Sequence, residues 1–198
     1  MKIVQNANTL WHSSLLTHFD RSDLKKQKPC CIWLTGLSGA GKSTIASSLE
    51  KKMYDLGLHT FVLDGDNIRH GLNKDLGFTD QDRKENIRRI SEAAKLMVDA
   101  GLVVIVAAIS PFKNDRLAAR AIFLPDEFFE VFVDAPLDEC IRRDPKQLYS
   151  KAKRGEISNF TGLDSPYDVP VNPEVVVYSD QETVQHCVDK IFNYYMAK

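Results

Sequence analysis

The stretch Gly36-Leu37-Ser38-Gly39-Ala40-Gly41-Lys42-Ser43 constrains this chain more than any other part of it. It fits GxxxxGK[ST] in full and lies between an apolar run, Cys31 to Thr35, and a segment with Ile45, Leu49, Met53 and Leu56 at near-helical spacing. A strand, a glycine-rich turn and a helix in that order form a phosphate cradle. The glycines let successive backbone N–H groups point inward, and the helix N-terminus adds positive potential around the phosphates. Lys42 is the side chain that reaches the β and γ phosphates, and Ser43 offers a hydroxyl to Mg²⁺, a cation that takes few protein ligands. The remaining reading, a turn that only connects a strand to a helix, leaves the Lys-Ser pair without a reason.

From Cys31 onward strands and helices alternate, and the strands are continuous apolar runs, as expected where helices cover both faces of a parallel sheet. Strands are expected at Cys31 to Thr35, Thr60 to Asp64, Val103 to Ala108 as the central one, Glu130 to Val133 and Val175 to Tyr178. Helices are expected after the glycine turn, from about Asp80 to Ala100, near Asn114 to Ile122, and at the C-terminus. The fold class is therefore α/β, a P-loop NTPase fold with about five parallel strands flanked by helices. Residues 1–28 lack sustained periodicity and read as an N-terminal arm; residues 29–198 read as one kinase-sized domain. The basic stretch 142–172, with Arg142, Arg143, Lys146, Lys151, Lys153 and Arg154, reads either as a mobile lid that closes over phosphates or as a solvated charged helix.

Composition removes other classes. With 198 residues there is room for one core, and 26 Lys+Arg against 27 Asp+Glu give no global positive field to gather a nucleic acid. The longest apolar run, Leu102 to Ile109, is far short of the ~20 residues of a membrane span. The first residues form no continuous apolar signal segment, and Cys30, Cys31, Cys140 and Cys187 match neither a zinc site nor a CxxC pair, so a cytoplasmic protein with reduced thiols is expected.

A phosphate loop leaves the fate of the γ-phosphate open among a small-molecule kinase, a nucleotide-dependent switch and a mechanical ATPase. A guanine-reading Asn-Lys-x-Asp is missing, because Asn73-Lys74-Asp75 is followed by Leu76. Two apolar strands end in a carboxylate, at Asp64 and at Asp134. Asp64 is favoured as the metal-facing one, because Asp64-Gly65-Asp66-Asn67-Ile68-Arg69 gathers two carboxylates, an amide and a guanidinium at the carboxyl edge of the sheet. Asp134 then caps a turn or helix before Pro136. On the long helix, Arg83 and Asn86 share the apolar stripe of Ile87, Ile90, Ala94 and Met97, where an unpaired polar group is costly. An anionic ligand over the strand ends would satisfy them; the alternative is an Arg that snorkels to water. Phe78 and Phe160 each either stack on a base or fill a core gap.

Taken together these residues resemble the adenylylsulfate kinase (APS kinase) family, over essentially the whole chain. The resemblance is carried by Trp11-His12, Thr35 to Thr44, Leu63 to Gly71, Asp75 to Arg89, Ile109-Ser110-Pro111, Asp144-Pro145-Lys146 and Asn159-Phe160-Thr161-Gly162. It implies transfer of the γ-phosphate of ATP, with Mg²⁺, to the 3′-hydroxyl of adenosine 5′-phosphosulfate. It implies that ATP is held at Gly36 through Thr44 and by Arg143. The acceptor is held by Asp66, Arg69, Arg83, Asn86, Ile109, Ser110 and Lys146, with its adenine between Phe78 and Phe160. Asp64 and Ser43 are implied at the metal, and Lys42, Asp64 and Ser110 in catalysis. Ser110 matches a position described in the family as a phosphoserine; direct in-line transfer needs no covalent serine, and Ser110 can instead hydrogen-bond the acceptor. The family's homodimers imply a dimer here, with small-molecule substrates as the other partners and neither nucleic acid nor membrane. The competing enzyme reading is another small-molecule kinase on the same scaffold.

Overall fold

The computed structural model describes Leu10 and residues 12–198; Trp11 of the arm lies outside the described residues. Five strands form one all-parallel sheet in the order β2-β3-β1-β4-β5. They are β1 Cys30–Thr35, β2 Thr60–Asp64, β3 Val103–Ala107, β4 Phe128–Asp134 and β5 Val175–Tyr178. The helices are α1 His18–Lys25, α2 Lys42–Asp55, α3 Gly65–Arg69, α4 Asp80–Asp99, α5 Lys113–Arg120, α6 Leu137–Arg143, α7 Leu148–Lys153 and α8 Val184–Met196. The strand after the long helix, β3, is not the central one: β1 is, paired with β3 on one side and β4 on the other.

The period-two geometry of a strand explains why β1 is apolar throughout. Cys30, Ile32 and Leu34 face the cluster completed by Ile45, Leu49 and Met53 of α2 and by Val188 and Ile191 of α8. Cys31 and Trp33 face the other cluster, with Ile87, Ile90, Ala94 and Val98 of α4 and Ala119 of α5. Both layers are closed to solvent, and the four cysteines are free and buried. Parallel strands need helical crossovers, so every strand delivers its carboxyl end to the same edge. Thr35, Asp64, Ala107 and Asp134 close those strands along that edge.

Several short helices replace expected irregular structure. Within the arm, Thr17 and Asp20 form a reciprocal capping box that starts α1. Gln27, just beyond, is buried; its amide donates to the carbonyls of His59 and Gly101 and its oxygen accepts from His59 N–H, at 2.8–3.0 Å. The basic stretch 142–172 contains the end of α6, all of α7 and an isolated bridge between Thr161 and Ser165. Asp134 does not cap α6: the N-cap position before Leu137 is Pro136, with no side-chain cap.

Candidate active site

The phosphate loop is shaped by what surrounds it. Gly36 has φ +152°, and a Cβ there would lie 2.4 Å from the Val133 carbonyl oxygen; at Gly39, φ +77°, it would lie 2.9 Å from the Cys140 carbonyl oxygen. The loop is thus pressed against β4 and α6, and only glycine fits. Lys42 opens α2 and is itself buried, its Nζ donating to the Gly36 and Leu37 carbonyls at 2.9 and 2.8 Å. Burial pulls its pKa down to about 8. Leu37 and Ala40 contribute backbone rather than side chain: Leu37 packs against the core, and Ala40 is fully buried, its N–H donating to the Leu37 carbonyl at 3.2 Å.

Ser43 Oγ donates to Asp64 Oδ2 at 2.6 Å, joining the loop to the end of β2. The other oxygen of Asp64 caps α3, accepting from Asp66 N–H at 2.9 Å and Asn67 N–H at 3.4 Å. A hydroxyl and a carboxylate brought together on a phosphate loop are hard oxygen donors, the kind Mg²⁺ takes in small number alongside substrate phosphates. Ser43 and Asp64 therefore fit the cation.

A cavity of about 1160 Å³ opens over the carboxyl edge. At one end it is lined by Ser38, Gly39, Gly41, Lys42, Ser43 and Thr44, with Arg143 and Ser179 beside them. Arg143 is held by Glu139 at 2.7 Å and donates to the Ser179 carbonyl at 2.8 Å. At the other end lie Arg69, Phe78, Arg83, Asn86, Ile109, Ser110 and Phe160. Asp64, Asp66 and Lys146 line the space too, and Lys146, ahead of α7, pairs with Asp66 of α3 across it.

The inward placement of Arg83 and Asn86 holds, at 7% and 6% exposure, but their partners come from the chain itself. Arg83 donates to the Phe78 carbonyl at 3.0 Å, to Thr161 Oγ1 at 2.5 Å and to the Asn159 carbonyl. Asn86 Oδ1 accepts from Asn73, which is fully buried, at 2.9 Å. Arg69 donates to the Leu76 and Gly77 carbonyls at 3.1 and 2.9 Å and lies 4.4 Å over the Phe78 ring. Burial lowers the pKa of both Arg69 and Arg83, and the charge of Arg69 lowers that of Arg83 further. Two crowded guanidiniums make that end of the cavity attractive to an anion. The two aromatics differ. Phe78 is more than half exposed, whereas Phe160 is buried and meets Tyr149 edge to face at 4.9 Å. By contrast, Arg88 and Arg89 are surface residues paired with Glu85, and Arg89 also with Asp75.

Ser110 has φ +42°, a left-handed conformation that costs a non-glycine residue ~1–3 kcal/mol. The residue is 1% exposed, and its hydroxyl accepts from the Trp33 indole at 3.1 Å and donates to the Ala108 carbonyl at 3.4 Å. Sequence reasoning missed Trp33, Asn73, Tyr149 and Thr161 as supports of the site. Each acts through a partner far away in sequence, and a single chain carries no signal for such pairings.

A family model described as adenylylsulphate kinase matches residues 28–178. An adenylyl-sulfate kinase of Marinobacter nauticus is 56% identical over 188 residues, spanning 95% of this chain and 94% of that protein. A probable adenylyl-sulfate kinase of Bacillus subtilis is 51% identical over 191 residues, spanning 96% of each. The structure of the Mycobacterium tuberculosis APS kinase CysC in complex with AMPPNP and APS superposes with a TM-score of 0.82 at 47% identity, covering 86% of this chain and 99% of that one. With matches of this extent falling on the strand-edge cavity and its phosphate loop alike, the chain belongs to the adenylylsulphate kinase family.

Proposed function

We propose that this chain transfers the γ-phosphate of ATP to the 3′-hydroxyl of adenosine 5′-phosphosulfate, giving 3′-phosphoadenylylsulfate and ADP, as its family membership indicates. The observation that carries this reading is one cavity with two unlike ends. Its 1160 Å³ exceeds the ~300–1000 Å³ of a single-ligand cleft. ATP occupies the end built by Gly36 to Thr44, with Arg143 beside its base. The acceptor occupies the other, its phosphosulfate facing Arg69, Arg83 and Asn86 and its adenine between Phe78 and Phe160. Ile109 and Ser110 form the floor under it, and Asp66 and Lys146 flank it.

Ser43 and Asp64 would hold Mg²⁺, which when bound neutralises charge on the transferring phosphates. Lys42, released from the Gly36 and Leu37 carbonyls, donates to the same phosphates in the transition state. Transfer through a loose transition state asks for positioning and charge neutralisation more than for a strong base, so Asp64 acts by orientation. Ser110 acts by position as well: its hydroxyl is already engaged by Trp33 and Ala108, and transfer is direct. Residues 142–172 form a lid over both nucleotides, anchored in the free protein by the Lys146–Asp66 pair. Water excluded by that lid protects ATP from hydrolysis.

The chain works as a homodimer in the cytoplasm. The exposed Leu15, Phe19 and Leu24 of the N-terminal segment supply apolar surface for a second copy, and free buried thiols suit a reducing compartment. Among the described residues, no helix is long and apolar enough to cross a membrane. ADP release measured with adenylylsulfate, adenosine monophosphate and a panel of sugars tests the acceptor. Turnover with adenylylsulfate well above the others is expected, and equal rates with all of them contradict the assignment.

A further inference from the structure

Arg116, on α5, lies outside the cavity lining and is 4% exposed. A buried guanidinium must find partners for its N–H groups. Its Nε donates to Glu130 of β4 at 2.6 Å, its Nη1 to the Ser110 and Pro111 carbonyls at 2.8 and 3.2 Å, and its Nη2 to the Asp168 carbonyl at 2.6 Å. Its Cζ lies 5.7 Å from the centre of the Tyr167 ring, and the Tyr167 hydroxyl in turn meets Thr35 Oγ1 at 2.9 Å. Thr35 Oγ1 donates to the Ile109 carbonyl at 2.7 Å, and Asp168 N–H to the Pro111 carbonyl at 2.8 Å. One side chain therefore gathers the turn 109–111, which floors the cavity, and the segment 167–168, which returns from Phe160.

We propose that Arg116 is a positioning residue that fixes the left-handed turn at Ser110 against the segment returning from Phe160, so that the acceptor end of the cavity is preformed. A strained non-glycine conformation persists only where its surroundings over-determine it, and the Ser110 carbonyl is held by a charged donor that Glu130 orients. The planar guanidinium spans three carbonyls and a carboxylate at once; an ammonium, whose donors radiate from one point, cannot. This inference rests on the acceptor assignment above for its kinetic consequence, though not for its structural one.

Arg116→Lys keeps the charge beside Glu130 and removes the span. Steady-state kinetics should show KM for adenylylsulfate raised about tenfold, the loss corresponding to one charge-assisted hydrogen bond, with KM for ATP unchanged. Amide exchange should rise about tenfold in a peptide covering 165–170, where Asp168 N–H is held, and stay unchanged in α2. Glu130→Gln, which retains an acceptor for Nε, should move both readouts in the same direction by less, and it carries the test if the lysine variant does not fold. An unchanged KM for adenylylsulfate, or a rise matched by KM for ATP together with faster exchange in α2, would overturn the proposal. Wild-type protein inactive on adenylylsulfate would defeat the acceptor assignment alone, and the exchange measurement would still decide the role of Arg116.

Discussion

Lys42 carries two demands that conflict in the free protein: it must stay charged to meet phosphates, and it is buried among carbonyls that only partly replace water. Its pKa of about 8 lies below the ordinary value of 10.5. In that interval the unfolded chain binds more protons, so this group makes the free protein more stable as pH rises from 8 toward 10.5. Nucleotide binding has the opposite sign, because phosphates require the ammonium and binding above pH 8 must take up a proton. ATP affinity should fall as pH rises past about 8, with proton uptake visible by calorimetry in buffers of different ionisation enthalpy. An affinity flat from pH 7 to pH 10 would remove Lys42 from the phosphates. Asp64→Asn is a cleaner probe than alanine at this position, because asparagine still caps α3. Transfer should drop about 100-fold or more with little change in melting temperature if, as proposed, the carboxylate holds Mg²⁺ beside the phosphates. For Ser110→Ala, most of the turnover should remain in a single-turnover assay, as direct transfer requires; complete loss would restore a covalent serine. Arg83 and Asn86 were legible as inward polar groups because periodicity alone puts them on the buried stripe. Their satisfaction by Thr161, Asn159 and Asn73 was not, because the contacts of Arg83 span 76 and 78 residues of sequence and that of Asn86 crosses a loop with no periodic pattern.

Elements with continuous or periodic apolar runs were readable close to their ends: β2 and β5 match their expected bounds, and α4 differs from its own by a residue. Short helices were not, since a helix of one or two turns is decided by its cap more than by its pattern. The Thr17-x-x-Asp20 box and the Asp64 cap of α3 are the local signals that could have found α1 and α3. The N-terminal segment illustrates the consequence. Gln27 ties the end of this segment to the strand-entry side of the sheet through three hydrogen bonds. Gln27→Ala leaves the buried Gly101 carbonyl and the His59 N–H without this partner and should destabilise the protein by ~1–3 kcal/mol. That is a fall of several degrees in melting temperature for a domain of this size, at about 2–4 °C per kcal/mol. The KM values should stay as they were, because this contact sits at the edge opposite the cavity. An unchanged melting temperature would show the segment to be an independent arm.

For the whole molecule, topology explains why the site is where it is: five parallel strands direct their carboxyl ends to one edge, and the phosphate loop, the α3 cap and the Ser110 turn each follow a strand there. The phosphate loop and the α/β layering were visible in sequence because each is local. The hydrogen bonds that tie Asn159 and Thr161 to Arg83 were not, because they need the segment after α7 to fold back onto α4. A homodimer predicts a sedimentation mass near twice the 22.4 kDa of the chain, and a monomer at assay concentrations would refute it. The proposed reaction is defined by where the γ-phosphate goes. Rapid-quench single turnover with γ-labelled ATP and adenylylsulfate, with products separated by chromatography, follows it atom by atom. Label should appear on the 3′-oxygen of adenylylsulfate at a rate matching ADP formation; label appearing only as free phosphate, whether or not adenylylsulfate is present, would rule out transfer to the acceptor.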